Sequence, residues 1–391
     1  MRRLSISAAL TRQAALVATL TWLAAPSQPP SVPGPPLREI AAGVTLFHVT
    51  EPALIDPPGP LSIWMLRLDP ARTRLELALA NDEVVGTEPV ADTATRHRAV
   101  AAINAGFFLP NGDPAGVFKL DGSLISDTRR PRGAVAIASV NGKPELLFDR
   151  VTASMSIAVH RSFGRKSVVA VDGVDTRRAR GKLMLFTPQY HQHTDTAPGG
   201  LEWAVAGRPP RVVGGPLDAG KTPIPPDGFV LSYGGTSAPS PLRPIKRGTR
   251  IDLMPRLTPE NGNTVAWATA PDVVGGAGLL ARGGRDIEDW RPEQFNAGFA
   301  ENRHPRTMIG LSAGGDIWLV TVDGRQPTFS VGMTLLELQT LARRLNLTDA
   351  LNLDGGGSTT MWVTGEVVNQ PSDATGPRKV SDALLVFPKP L

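Results

Sequence analysis

The sequence contains no cysteine among its 391 residues, and this absence excludes several kinds of chemistry. Disulfide bonds, thiol nucleophiles and thiolate metal ligands are all impossible. Aromatic residues make up only 5% of the chain, whereas glycine (40) and proline (37) are abundant, so we expect short elements joined by many turns. The sequence also lacks a block of lysine and arginine and a stripe of interleaved aromatic residues, which argues against nucleic acid as a partner.

Three common catalytic signatures are missing as well: the Gly-x-Ser-x-Gly elbow, the Walker phosphate loop and the His-Glu-x-x-His zinc helix. His191 and His193, with Asp195 nearby, have the spacing of metal ligands on a strand, but no further ligand is clustered with them. We therefore expect neither a metal nor another cofactor. The net charge of +5 is mild and is compatible with an anionic substrate.

The N-terminus has the pattern of an export signal. Arginines within the first twelve residues precede an apolar run, 14–25, which ends in small residues and is too short for a spanning helix. We therefore predict a signal peptide over residues 1–25 and a Pro-rich linker over residues 26–39. The protein would then be exported, periplasmic or extracellular, with no stable membrane span after signal cleavage. An uncleaved membrane anchor is the alternative.

From residue 40 to residue 391 the pattern predicts a single domain rich in strands. Only two segments have helical spacing, Thr334–Leu345 and, more weakly, Val90–Arg98. Because strands dominate and helices are not regularly interleaved, we expect an α+β fold with few helices packed on mixed sheets. Apolar runs bounded by turn residues predict the strands: Leu61–Leu68, Leu75–Ala80, Val100–Ile103, Ala134–Val140 (followed by the turn Asn141-Gly142), Ser167–Val171, Phe229–Ser232, Val265–Thr269 and Asp316–Val322.

The segment 351–360 (LNLDGGGSTT) is the most informative about chemistry. Its leucines fit one side of a buried strand, which places Asn352 and Asp354 on the other side. Three consecutive glycines form a loop whose backbone N–H groups can approach an anion closely. A flexible Gly/Ser turn is the alternative. If the loop is a site, its substrate-binding residues are Asn352, Gly355, Gly356, Gly357, Ser358 and Thr359.

Four further residues lie at or beside the ends of apolar strands. Asn104 can orient a hydroxyl or phosphate oxygen, or it can cap the turn that follows. Arg306 is expected to point away from the core face of its strand, where a guanidinium can bind phosphate with two hydrogen bonds. Asp323 and Arg325 form either a structural ion pair or a catalytic carboxylate beside an anion site. Glu337 completes a capping box with Thr334, so we leave it out of the site.

Taken together, these segments resemble the phosphodiester glycosidase family over about residues 95–388. Two departures are the absence of proline in Gly275–Leu279 and Asp382 at a position where asparagine is common. The resemblance is carried by five segments in order: Asn104–Phe108, Val273–Gly276, Arg306–Gly310, Asp323–Arg325 with Ser330–Met333, and Asn352–Thr360.

The resemblance implies hydrolysis of a sugar 1-phosphodiester at the sugar C1–O bond, with a phosphorylated carbohydrate as substrate. For that reaction Asp323 and Asp354 are the available catalytic carboxylates, and Arg306, Arg325 and the glycine amides are expected to hold the departing phosphate. One alternative is a non-catalytic protein for glycan binding or exopolysaccharide assembly. Another is a phosphodiesterase that cleaves the P–O bond.

Overall fold

The computed structural model describes residues 35–140 and 143–389. The predicted signal peptide (1–25), residues 26–34 of the predicted linker and the predicted turn at 141–142 lie outside the described residues. Within the described residues no helix is long and apolar enough to cross a membrane.

The described part of the chain is 45% strand and 12% helix, which confirms the strand-rich prediction. The α-helices there are α1 (Val90–Arg96), α2 (Thr264–Thr269), α3 (Ala297–Glu301) and α4 (Leu335–Arg344). The strands, in chain order, are β1 (Arg38–Ala41), β2 (Val44–Val49), β3 (Ile63–Leu68), β4 (Thr73–Leu79), β5 (Glu88–Pro89), β6 (Ala101–Asn104), β7 (Phe118–Leu120), β8 (Ser123–Ser126), β9 (Thr128–Val140), β10 (Lys143–His160), β11 (Lys166–Ala170), β12 (Gly173–Val174), β13 (Leu183–Phe186), β14 (Leu201–Ala206), β15 (Arg211–Leu217), β16 (Gly228–Tyr233), β17 (Ile251–Pro259), β18 (Asp272–Gly275), β19 (Leu279–Arg282), β20 (Arg285–Asp286), β21 (Arg306–Ser312), β22 (Ile317–Val322), β23 (Leu347–Asn352), β24 (Met361–Val363), β25 (Glu366–Val367), β26 (Lys379–Val380) and β27 (Asp382–Pro388).

The largest sheet has eight antiparallel strands in the order β1-β2-β3-β22-β21-β23-β19-β20. Both of its faces are buried. Ile309 and Leu319 belong to the main hydrophobic cluster, whereas the alternate residues Met308 and Val320 pack with α4 in a second cluster. Burial on both faces explains why these strands are almost continuously apolar.

A second sheet, β25-β24-β6-β27-β4, is also antiparallel and shares the main cluster with the first. A third, β11-β10-β9-β18-β7-β8, also includes β17, which pairs with β10, and a fourth has the order β12-β13-β16-β14-β15. A small pair, β26-β5, completes the described sheets. Mixed sheets were predicted, but among the described sheets only the fourth contains both parallel and antiparallel pairs. Its β12 and β13 are the one parallel pair among the described strands.

Most predicted elements are found at or near their predicted positions, but the strand predicted over Val265–Thr269 is wrong. That segment is α2, whose N-cap Asn263 accepts hydrogen bonds from the Val265 and Ala266 N–H groups through Oδ1. Asparagine is a favoured N-cap residue because its side chain satisfies N–H groups that have no partner in the first turn. Helix α2 buries Trp267. The N-cap therefore makes this short apolar run helical, although its composition favours a strand.

Helix α4 confirms the predicted capping box. Thr334 Oγ1 accepts the Glu337 N–H at 3.1 Å, and Glu337 Oε2 accepts the Thr334 N–H at 2.8 Å. Glu337 also binds Arg303, with Oε1 to Nη2 at 2.5 Å. Glu337 is thus fully engaged in holding the start of α4, as predicted.

Replacing Glu337 by alanine is expected to lower the free energy of unfolding by about 1 to 2 kcal/mol, because the variant loses the cap and leaves Arg303 without its carboxylate. Chemical denaturation measures the change. The neighbouring Leu336 is 61% exposed, so Leu336→Ala is the matched control and should change stability by less than about 0.5 kcal/mol. Equal stability of Glu337→Ala and the wild type would contradict the structural assignment.

Candidate active site

The predicted site residues come from strands that end at one edge of the two packed sheets. In the eight-stranded sheet Arg306 opens β21 opposite Val322, after which Asp323 begins the next loop, and Asn352 closes β23 opposite Met308. Asn104 closes β6 in the second sheet. The Asp354 N–H donates to Ala105 O at 2.9 Å and so joins the two edges.

A cavity of about 280 Å³ opens at this edge. A larger groove of about 610 Å³ runs beside β4, but it holds none of the predicted site residues. The smaller cavity is lined by Phe107, Phe299, His304, Pro305, Arg306, Arg325, Asp354, Gly355, Gly356, Gly357 and Arg378.

Arg306 is a buried cation that lines this cavity and is only 1% exposed. Its Nε donates to Met333 O at 2.8 Å, and its Nη2 donates to Phe299 O at 2.6 Å and Asn302 O at 3.1 Å. Within the described residues Nη1 has no hydrogen-bond partner, and no carboxylate oxygen lies within 4.0 Å of the guanidinium. Burial, reinforced by Arg325, lowers the pKa of Arg306 to about 10, which leaves it charged at neutral pH. Such a cation favours an anionic ligand.

Arg325 supplies a second positive charge to the cavity. It follows β22 with a φ of 62°, and its guanidinium lies beside Gly356, where an added Cβ would be 3.0 Å from Nη2. Its Nη2 is 3.5 Å from Nδ1 of His304, which also lines the cavity. Burial, followed by the charges of Arg306 and Arg325, lowers the pKa of His304, so the imidazole is neutral at pH 7. Sequence reasoning missed His304, although it precedes the Pro305-Arg306 pair.

Asp354 is the one carboxylate among the described residues that line the cavity. Burial raises its pKa to about 7, against the opposing effects of Ser358 and of the Gly355 N–H, which donates to Oδ1 at 2.9 Å. Near neutral pH the group therefore exists both as the acid and as the carboxylate. A carboxyl group with this property, placed in a cavity, suits proton transfer.

Two of the three amides of the glycine loop already have hydrogen-bond partners within the protein. The Gly355 N–H is bound to Asp354, and the Gly356 N–H donates to Pro305 O at 2.9 Å, so these two amides are not available to an anion. The loop instead needs glycine for space. An added Cβ at Gly355 would lie 2.6 Å from Pro305 O, and one at Gly357 would overlap the Asp373–Arg378 ion pair.

Asp323, the other predicted catalytic carboxylate, does not line the cavity, and its catalytic role stays a prediction. It is 1% exposed and fully engaged. Oδ2 accepts from Ser62 Oγ at 2.8 Å, and Oδ1 accepts from Asn369 Nδ2 at 3.0 Å and from the Gln370 N–H at 2.9 Å. Burial raises the pKa of Asp323. These bonds tie the segment that precedes Arg378 to the sheet.

Asn104 also supports the site from behind. Its Nδ2 donates to Asp354 O at 2.7 Å, and its Oδ1 accepts from Thr307 Oγ1 at 2.9 Å and from the Thr360 N–H at 3.1 Å. These bonds connect the end of β6 to Asp354, to β21 and to the segment before β24. The amide therefore has no capacity left to orient a substrate hydroxyl through Oδ1, contrary to expectation.

Asn352, Ser358 and Thr359 are buried and are not among the lining residues. Asn352 Nδ2 donates to Ala277 O at 2.8 Å and to Leu353 O at 2.9 Å. These three side chains pack behind the wall that carries Asp354, so their expected contact with substrate stays a prediction.

Asp382 is a second buried acid near Asp354 that sequence reasoning noted only as a departure from the family pattern. Its Oδ1 accepts the Gly106 N–H at 2.5 Å, and Ser381 Oγ donates to Oδ2. Burial raises its pKa to about 6, and its charge contributes to the raised pKa of Asp354. A signal was present in the sequence, since an acid replaces the usual neutral residue.

The described residues contain no group of three or more His, Asp or Glu placed to hold a metal ion. His191 lies in an irregular segment rather than on a strand, with Nδ1 at 2.8 Å from Glu83 Oε2. His193 Nδ1 accepts the Asp195 N–H at 3.2 Å. Both histidines thus have local partners.

Residues 200–387 match the family model of the phosphodiester glycosidases. This segment contains Arg306, Arg325, Asp354 and Arg378, and it ends within β27. The resemblance to that family is therefore confirmed.

N-acetylglucosamine-1-phosphodiester alpha-N-acetylglucosaminidase of Mus musculus is 34% identical over 87 residues, which are 21% of this chain and 16% of that protein. The crystal structure of a hypothetical protein from Synechocystis is similar with a TM-score of 0.72 and 25% identity, over 89% of this chain and 62% of that one. The structure of a protein from Burkholderia pseudomallei that is described as exported is similar with a TM-score of 0.69 and 27% identity, over 85% of this chain and 75% of that one. The chain thus shares a fold with these bacterial proteins and spans about a sixth of the curated relative.

Inorganic phosphate is expected to raise the melting temperature of the wild type, because an anion that binds only the folded state stabilises it. At a hundred times its Kd the ligand contributes about 2.7 kcal/mol. The variant Arg325→Gln should lose most of this response, whereas Arg285→Gln, at an exposed arginine outside the cavity, should keep it. Differential scanning fluorimetry at constant ionic strength makes the comparison. An unchanged response in Arg325→Gln would contradict an anion site here.

Proposed function

We propose that the protein is an exported phosphodiester glycosidase that hydrolyses the bond between the anomeric carbon and the phosphate oxygen of a sugar 1-phosphodiester. The observation that carries this proposal is the buried guanidinium of Arg306, which lines a cavity without a carboxylate partner and shares that cavity with Asp354. The family match supports the glycosidase reaction, and the curated relative is named for a diester of this kind.

The phosphate would be held by Arg306 and Arg325. A phosphomonoester is a stable leaving anion, so its departure from the sugar needs little help from a general acid. What it does need is positive charge in a site from which water is largely excluded. Arg306 meets this requirement because its guanidinium is already held in place by three backbone carbonyls and has donors to spare at Nη1.

Asp354 would act in its ionised form. As the C1–O bond breaks, positive charge develops on the sugar ring, and a carboxylate in the cavity stabilises it and accepts the proton of the attacking water. The water oxygen bonds to C1, and the phosphomonoester leaves with the electron pair of the broken bond. His304, neutral at pH 7, is placed to accept a hydrogen bond from the substrate or to pass the proton on.

Export is supported by the predicted signal peptide over residues 1–25 and by the structural neighbour that is described as exported. The other reading of the same cavity, a glycan-binding or exopolysaccharide-assembly protein without turnover, would require an anion site but no titrating carboxylate. The raised pKa of Asp354 favours the enzyme.

Incubation with a GlcNAc 1-phosphodiester is expected to release free sugar, and in ¹⁸O water the label should enter the sugar and not the phosphate. A neutral aryl glycoside of the same sugar should be cleaved far more slowly, because it leaves Arg306 without a partner. Mass spectrometry of both products gives the result. Label in phosphate would identify a P–O phosphodiesterase, equal cleavage of the neutral glycoside would indicate a general glycosidase, and binding without turnover would indicate the non-catalytic alternative.

The rate is expected to rise as the pH is increased through about 7, since the ionised fraction of Asp354 increases over that range. Asp354→Asn should lower kcat by about 10²- to 10⁴-fold. Asp323→Asn should leave the position of the pH profile unchanged but lower stability by about 1 to 3 kcal/mol, because an amide cannot replace a carboxylate that accepts three hydrogen bonds. Rates of diester hydrolysis by the wild type and both variants, measured from pH 5 to pH 8, test these expectations. A rate that falls over this range would make Asp354 a general acid.

The substitution Asp354→Asn should also change how stability depends on pH. The pKa of Asp354 is higher in the folded than in the unfolded chain, so its favourable contribution is complete below the unfolded value and is lost as the pH rises through about 7. Relative to Asp354→Asn, the wild type should therefore become less stable between pH 5 and pH 8. Denaturation at both pH values provides the check, which is independent of activity.

A further inference from the structure

Three segments that are distant in sequence meet at one end of the third and fourth sheets and form a surface that we call the basic end. These are residues 161–166 at the β10–β11 turn, residues 207–211 at the β14–β15 turn and residues 243–252, which lead into β17. The His160 N–H donates to Arg250 O at 3.0 Å, and the Ile251 N–H donates to Pro210 O at 3.1 Å. Arg211 and Arg250 form a β-bridge, so the three segments share one surface.

The basic end carries far more positive than negative charge. Asp252 is the one acid within the three segments, and it is bound to Arg250 at 2.8 Å and to His160 at 2.7 Å. Asp227, before β16, adds a second acid nearby. The cations of the three segments are Arg161, Arg165, Lys166, Arg208, Arg211, Arg243, Lys246, Arg247 and Arg250.

At the tip of the first turn lies Phe163, whose side chain is 100% exposed. Its φ is 60°, a conformation that favours glycine or asparagine and that costs a bulky residue about 1 kcal/mol or more. An exposed phenylalanine in that backbone conformation contributes nothing to folding. Val168, on the edge strand β11 beyond the turn, is 63% exposed and extends the apolar surface.

We infer that the basic end is a docking surface for an anionic lipid bilayer, with Phe163 inserting between the headgroups and the surrounding cations contacting the lipid phosphates. The charge complementarity identifies the class of partner, because juxtamembrane cations are attracted to anionic lipid. The exposed ring distinguishes a bilayer from a soluble polyanion, since only a bilayer offers an apolar layer beneath its negative surface. This inference is independent of the proposed hydrolytic function and uses none of the residues that line the cavity.

The test is co-sedimentation with phosphatidylcholine vesicles that contain or lack phosphatidylglycerol. Every variant keeps the same N-terminus, so any contribution of residues 1–34 is common to all. The wild type should bind the anionic vesicles preferentially. Phe163→Asn, which suits a positive φ, should weaken binding about tenfold or more. Reversal of charge in Lys246→Glu/Arg247→Glu should weaken it by more than about fivefold per residue. Leu336→Ala and Arg285→Glu, at exposed positions on α4 and β20, are the matched controls and should bind like the wild type.

A second measurement follows insertion directly. Because the chain has no cysteine, Phe163→Cys gives a unique attachment point for an environment-sensitive fluorophore. Its emission should shift to shorter wavelength on addition of anionic vesicles, while the same dye at Leu336→Cys should not respond.

Four results would overturn the inference: equal binding to neutral vesicles, wild-type affinity in Phe163→Asn, no spectral shift at position 163, or binding to soluble dextran sulfate without binding to vesicles. The last result would identify a soluble polyanion as the partner of the basic end.

Discussion

The candidate site depends on how Arg306 is held. Burying a guanidinium costs several kcal/mol unless its donors are satisfied. Here its hydrogen bonds are accepted by the carbonyls of Phe299, within α3, of Asn302, just beyond α3, and of Met333, just before α4. The centre of the Phe299 ring lies 5.0 Å from the guanidinium carbon. The carbonyl oxygens carry only partial charge. The positive charge is therefore fixed in position but not neutralised. An anion bound in the adjacent cavity would neutralise it.

Around this cation the carboxyl groups have separate functions. Among the described residues that line the cavity, Asp354 has the one carboxyl group, and burial brings its pKa close to 7. Asp323 has its oxygens filled by Ser62 and the segment after β25, so it shapes the loop that brings Arg378 to the cavity. Asp382, behind Asp354, keeps negative charge nearby and opposes ionisation of Asp354. One sequence pattern, an acid at a strand end, thus gives three different environments.

The sequence predicted the parts of this architecture that depend on local rules. The period of α4 and its capping box, the apolar strands β21 to β23 and the position of Asp354 at a strand end are all found as expected. The prediction failed where contacts between distant segments decide the outcome. Which oxygens of Asp323 are free, and whether the Gly355 amide points to a ligand, depend on Ser62, Asn369 and the Asp354 side chain itself. Helix α2 was missed because one N-cap outweighed β-propensity.

The basic end was invisible in the sequence for the same reason. No run of cations marks it, since its charges come from three turns separated by tens of residues. Their proximity follows from the pairing of β10 with β17 and from the bridge between Arg211 and Arg250.

The placement of β27 has a consequence for how the chain reaches this structure. β27 lies between β4 and β6 in the middle of the second sheet, and Lys389 Nζ donates to Pro70 O across 319 residues of sequence. Pairings of such high contact order form slowly, because a very long loop must close before any contact rewards it. Until β27 has been synthesised, β4 and β6 lack their shared neighbour and the Asp354 loop has no complete support. The second sheet, and with it the full support of the Asp354 loop, is therefore completed late in folding, when the last strand joins.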